Sequence, residues 1–208
     1  MQDFLAHYWL DMLTTILGLA YILLQYRASI WLWAVGIAMQ SFGIVLFYQK
    51  GVYADCGMEL YYLVMSIYGF ISWKYLHHGS GSDKKAEKPV THFEDRYILP
   101  WTIGTLLIWG AIYYFLAYHT DSRVPIADSF TTALSIVGTW ALAKKYLENW
   151  LIWIVVDAVS SYLYFSKDIP FKASLYALYV VIAILGYMKW KRMMANSQEN
   201  CLYLDEKT

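Results

Sequence analysis

Seven stretches of the chain are apolar over sixteen to twenty-two residues, with polar breaks between them: 9–26, 31–48, 58–76, 97–118, 128–143, 150–165 and 171–190. A helix needs about 20 mostly apolar residues to cross a bilayer. Breaks such as Arg27, Ala28, Ser29 and Ser166, Lys167, Asp168 are long enough only for turns between neighbouring spans. The pattern predicts an all-α integral membrane protein with seven transmembrane helices in one membrane domain, residues 1–208. Residues 79–96 are rich in Gly, Ser, Lys and Glu and read as a flexible, exposed linker. Residues 194–208 read as a polar tail that frays.

Composition agrees. Of the 208 residues, 59% are hydrophobic and 15% charged, against roughly 45–50% and about 25% in a soluble domain. A water-soluble fold of this size has too little interior for so much apolar surface. The 16 basic and 16 acidic residues give no net charge, so no overall field attracts nucleic acid. Their placement is uneven. With seven spans, Lys50, Arg123, Lys167 and Lys172 fall on one side and the other twelve Lys and Arg on the opposite side. The positive-inside rule puts the twelve in the cytoplasm. The N-terminus is then expected outside, and the 79–96 linker and C-terminus inside. Met1 to Tyr8 lack the basic start of a signal peptide, so the first stretch reads as a retained span. Cys56 and Cys201 fall on opposite faces in this topology and are not expected to pair. No Cys/His cluster suggests a metal, and no cofactor is expected.

The chain also matches itself at an offset of 117. Asp11, Thr14 and Thr15 meet Asp128, Thr131 and Thr132; Trp33 meets Trp150; Lys50 meets Lys167; Tyr62, Gly69, Trp73 and Lys74 meet Tyr179, Gly186, Trp190 and Lys191. With five apolar identities, 14 of the 64 positions from Asp11 to Lys74 agree. Residues 9–76 therefore form a first three-helix repeat and 128–190 a second, joined by a connector helix at 97–118. One odd span between the triplets makes them parallel, a 3+1+3 arrangement found in transporters that hold substrate near the midplane between the halves.

Polar residues inside the spans mark the candidate site, because ionisable groups deep in a bilayer are costly. Trp150, Trp153 and Asp157 are spaced by three and four and share one helical face, which Ser160, Ser161 and Tyr164 extend. Asp157 lies roughly 13 Å from the cytoplasmic end of its span. Its mate at offset 117 is Gln40, expected opposite it across the pseudo-axis. A second stripe runs Glu59, Tyr62, Ser66, Gly69, Trp73, with Tyr176, Tyr179, Ala183, Gly186, Trp190 as its mate; its small residues should let helices approach closely. No Lys or Arg lies within a span core, so a cationic ring would suit these acids and indoles through charge, stacking and cation–π attraction. Set against this, Trp31, Trp33, Trp73, Trp101 and Trp190 sit near span ends and read as interfacial anchors. Glu59 could snorkel to water, His77 and His78 read as solvated, and Asp11 and Asp128 as lying at helix starts. An enzyme acting on lipid would cluster acids, His or Arg at the membrane surface, whereas the His77–His78 pair sits beside the flexible linker with no partner carboxylate at a suitable spacing; the chain is not expected to be an enzyme and has no catalytic residues.

The run KYLENWLIW at 145–153 with the polar residue at 157, the run LVMSIYGFISW at 63–73 and VYAD at 52–55 resemble the PnuC family of bacterial vitamin transporters. The resemblance extends from Asp11 to Trp190 and is weakest over the fourth span and the linker. It implies a fold related to the SWEET sugar transporters, a homotrimer in the bacterial cytoplasmic (inner) membrane, and facilitated diffusion of nicotinamide riboside trapped by cytoplasmic phosphorylation. Other branches carry thiamine or riboflavin. Ligand contacts in the nicotinamide riboside branch come from the W-x-x-W pair, here Trp150 and Trp153, and from amides in spans three and six. Those amide positions fall on Glu59 and Asp157, both acids here, which leaves nicotinamide riboside and thiamine as the two expected substrates.

Overall fold

The structure, a computed structural model, describes residues 16–49, 51, 53–75, 88–120, 124–166 and 170–205. Asp11, Thr14, Thr15, Lys50, Lys167, His77, His78, the linker up to residue 87 and the side chain of Cys201 lie outside them. The described helices are α1 (Ile16–Tyr26), α2 (Trp31–Gln49), α3 (Tyr53–Lys74), α4 (Ile98–His119), α5 (Pro125–Ala143), α6 (Asn149–Ser166) and α7 (Pro170–Asp205). Four are long and apolar enough to cross a membrane: α2, α5, the 3₁₀-extended α4 (Asp95–His119), and Lys172–Ser197 within α7. The polar stripes run along two of the others, α3 and α6. The chain divides into two compact units, Met1–Lys88 and Pro89–Thr208, one holding the first triplet and the other the connector and the second triplet.

Within each unit the same joints recur at offset 117. After α1, Ala28 has φ 51°; its N–H donates to Gln25 O and that of Ser29 to Leu24 O. After α5, Lys145 has φ 61°, its N–H donates to Leu142 O and that of Tyr146 to Ala141 O. This bond pair is the Schellman motif, which ends a helix with one left-handed residue. Neither residue is glycine, so nothing in the sequence pattern announces the motif.

The second joint is aromatic. Trp33 of α2 packs against Gly69 of α3, where a Cβ would lie 2.4 Å from the indole, and meets Trp73 edge-on at 5.5 Å and 90°. In the second unit Trp150 of α6 packs on Gly186 of α7, with 2.6 Å to a hypothetical Cβ, and meets Trp190 at 5.6 Å and 89°. The glycines of the stripes thus bring α2 to α3 and α6 to α7, as expected of small residues between membrane helices. The tryptophans differ from expectation. Trp33, Trp73 and Trp190 are fully buried within the helix pairs: Trp33 fills the space over Gly69, while Trp73 and Trp190 pack edge-on against the indoles of Trp33 and Trp150. Trp31, by contrast, is 67% exposed.

Three boundaries also move. Pro125 starts α5 three residues before the expected boundary, a position suited to proline, and Asp128 lies in the first turn, at the helix start as expected. The helix α7 continues through Asp205, so the expected tail is helical up to that residue. The end of the linker is pinned rather than loose. Lys88 N–H donates to Trp73 O at 3.5 Å, Val90 is buried, and Thr91 pairs with Tyr146 in a parallel bridge. Glu148 accepts from Phe93 N at 3.0 Å. Cys56 is a free thiol.

Candidate functional site

In the second unit the helix pair α6/α7 carries an acid among tyrosines. Asp157 is 7% exposed and lies within electrostatic range of the Tyr176 and Tyr179 hydroxyls. Tyr176 stacks on Tyr164 at 5.3 Å and 14° and meets Tyr179 edge-on at 5.8 Å. Ser161 Oγ donates to Ala173 O at 2.8 Å and fastens the two helices. Lys172 Nζ stands 5.1 Å over the Tyr164 ring, on a ring face and not on the carboxylate. Among the described residues no basic group pairs with Asp157. A buried carboxylate is stable as an anion only with a counter-charge and hydrogen bonds.

The two indoles of α6 have different surroundings. Trp150 is 2% exposed and is enclosed by Gly186 and Trp190; what it can still offer is its indole N–H, which is buried without a partner. Trp153 is half-buried, with an N–H that is likewise buried and unpaired. Its ring lies in space left by Gly138 of α5, 3.5 Å from where a Cβ would be. The first unit fills the equivalent slot in reverse: Tyr21 of α1, the mate of Gly138, lies over Gly36 of α2, the mate of Trp153, 3.2 Å from where a Cβ on that glycine would be. Exchange of large for small across one contact gives the second unit an indole one turn from its acid.

The first unit places its acid on the other helix of the pair. Glu59 of α3 packs against Gly43 of α2, 2.7 Å from a hypothetical Cβ, and its Oε2 is buried without a partner. The expectation that it snorkels to water therefore does not hold for that oxygen. Gln40 is half-buried one turn from Gly43 on the same face. Tyr62 is half-buried and meets Tyr61 at 5.5 Å. At offset 117 Gln40, Glu59 and Tyr62 correspond to Asp157, Tyr176 and Tyr179.

The structure thus gathers Asp157 and Tyr176 in one cluster, with Trp153 beside them on α6, and Gln40, Glu59 and Tyr62 on the facing helices of another. Tyr164 and Tyr179 complete the first cluster. Tyr179 was legible as the mate of Tyr62, and Tyr164 as one helical turn beyond Ser160. Gly138 carries no polar or aromatic mark in the sequence, and only its exchange with Tyr21 at offset 117 hints at its place. Among the described residues no His, Cys, Asp and Glu come together as a metal site.

Comparison with known proteins follows the same lines. The sequence profile of the nicotinamide mononucleotide transporter family matches residues 8–192. The riboflavin/roseoflavin transporter RibM of Streptomyces davaonensis is 28% identical, over 88% of this chain and 84% of its own. The nicotinamide riboside transporter PnuC of Escherichia coli is 23% identical, with the same coverage of 88% and 84%. The crystal structure of the vitamin B3 transporter PnuC superposes with a TM-score of 0.70 at 21% identity, covering 93% of this chain and 85% of that one. These relatives are transporters, not enzymes.

Proposed function

The chain belongs to the nicotinamide mononucleotide transporter (PnuC) family of membrane vitamin transporters, and we propose that its cargo is a B vitamin with a positively charged ring, nicotinamide riboside before thiamine. One observation carries this reading: Asp157 is buried without a basic partner among the described residues. A pyridinium or thiazolium ring supplies the missing charge, and an indole face attracts the same cation. Trp153 is the stacking residue, since Trp150 is enclosed, and the free N–H groups of both can donate to ligand oxygens. Asp157 with Tyr176 orients the ligand. Glu59, Tyr62 and Gln40 are the corresponding group of the first unit.

Transport is by facilitated diffusion with alternating access, followed by trapping through phosphorylation in the cytoplasm. The chain resides in a bacterial inner membrane as a homotrimer, N-terminus outside. Riboflavin is a second reading, favoured by the 28% identity to RibM, but its neutral ring does nothing for an unbalanced acid.

Thermal unfolding of the purified protein with nicotinamide riboside, thiamine and riboflavin tests the order, because a ligand of the native state raises its apparent stability. A shift with riboflavin alone sinks the cationic reading. Accumulation in proteoliposomes driven by a pH gradient alone would rule out simple facilitated diffusion.

A further inference from the structure

Away from these clusters, the second unit carries a groove that changes from polar to apolar along α4. Its mouth is a cavity of about 650 Å³ lined by His92, Glu94, Asp95, Arg96 and Glu148. Phe93, Asp95 and Glu148 also line the next cavity, about 440 Å³, whose walls include Thr105 and Leu106 of α4 and Leu134 and Val137 of α5. Leu106 is shared in turn with a third cavity of about 360 Å³, which reaches Trp109, Tyr113 and Ile126. From Ile98 to Tyr113 this path follows about 22 Å of helix, most of the roughly 30 Å of a bilayer's hydrocarbon core.

The mouth has a charge preference. Its three carboxylates face one guanidinium and one imidazole. Arg96 is taken up by Glu94 at 2.7 Å, and His92 Nδ1 lies 2.8 Å from Glu148 Oε1, while Glu148 Oε2 accepts from Phe93 N. Asp95 forms no ion pair or side-chain hydrogen bond with the described residues. Just inside, Trp101 and Trp140 lie 3.7 Å apart, with Phe93 edge-on to both. Aromatic rings at this level belong to the headgroup region of a membrane.

We propose that this groove holds one phospholipid with a primary-amine headgroup, its ammonium between Asp95 and Glu148 and one acyl chain along α4 and α5. An ammonium carries three N–H donors for the carboxylates; a choline head has none and a glycerol head has no positive charge. Arg96 and His92 stand beside the carboxylates for the phosphate. An excess of acid at the mouth disfavours an anionic lipid and a like-charged surface of a second copy. The proposal does not depend on which vitamin is carried.

The test is native mass spectrometry of the full chain in detergent with dioleoyl phosphatidylethanolamine, phosphatidylcholine or phosphatidylglycerol. One phosphatidylethanolamine per chain should be retained about tenfold more strongly than the other two, and Asp95→Asn with Glu148→Gln should abolish that preference, the value of about one charge-assisted hydrogen bond. Glutamine at 148 can still accept from Phe93 N. Leu106 is 54% exposed, so Leu106→Trp should fill the slot and expel the lipid with the unfolding temperature of the lipid-free protein unchanged. Equal retention of the three lipids, or an unaltered preference in the double variant, overturns the proposal. So does a cross-link between copies through Leu106→Cys in an oligomer that takes up no phosphatidylethanolamine, which would make the groove a contact between chains.

Discussion

The indole of Trp150 occupies the place that a side chain on Gly186 would need: a Cβ there would lie 2.6 Å from three of its ring carbons. Gly186→Ala should therefore push α6 and α7 apart and cost about 1–3 kcal/mol, as overpacking does. Gly69→Ala should cost a similar amount, at 2.4 Å from Trp33. Gly104 of α4 has nothing within 4 Å of its Cβ position, and Gly104→Ala should leave stability unchanged or raise it. Thermal unfolding of the three variants in one detergent checks the contrast.

The two tryptophans of α6 should separate by readout. Trp150→Ala empties a filled joint and should lower stability by about 3–5 kcal/mol, the usual cost of deleting a buried aromatic. Trp153→Ala should leave the protein folded but unable to hold its ligand, lowering affinity at least about tenfold in calorimetry. If Trp153→Ala binds normally, the stacking role assigned to it is wrong.

Charge and shape can be told apart at Asp157. Asp157→Asn keeps the size and removes the negative charge, so affinity for nicotinamide riboside or thiamine should fall about tenfold or more, the difference between charge-assisted and neutral hydrogen bonding. Riboflavin binding, if any, should be unaffected. An equal loss for charged and neutral ligands would point to shape alone.

At the end of α1, Ala28 holds φ at 51°, where an L-residue is penalised by about 1–2 kcal/mol. Ala28→Gly relieves that strain but adds roughly 0.5–1 kcal/mol of chain entropy and removes a buried methyl. The unfolding midpoint should hold or rise slightly. Ala28→Val, with branching that resists positive φ, should lower it clearly. Equal effects of the two would mean that the left-handed turn is not formed.

The sequence by itself determined the all-helical membrane class, the approximate helices, the pairing of joints at an offset of 117 and which polar residues share a helical face. Each follows from a local quantity: runs of apolar residues, an offset of 117, or spacings of three and four. The same periodicity placed Trp150, Trp153 and Asp157 on one face but could not say which indole was enclosed. That depends on what α7 presents, and Gly186 and Trp190 lie more than thirty residues further along the chain. Tryptophans near span ends look like anchors because burial is a property of packed helices, and only tertiary structure reveals Gly69 opposite Trp33 and the edge-on packing of Trp73 and Trp190. Likewise the pinned end of the linker and the groove along α4 arise where Phe93 and Thr91 meet Tyr146, Leu147 and Glu148. Contacts between segments some fifty-five residues apart leave no periodic trace, so folding alone settled them.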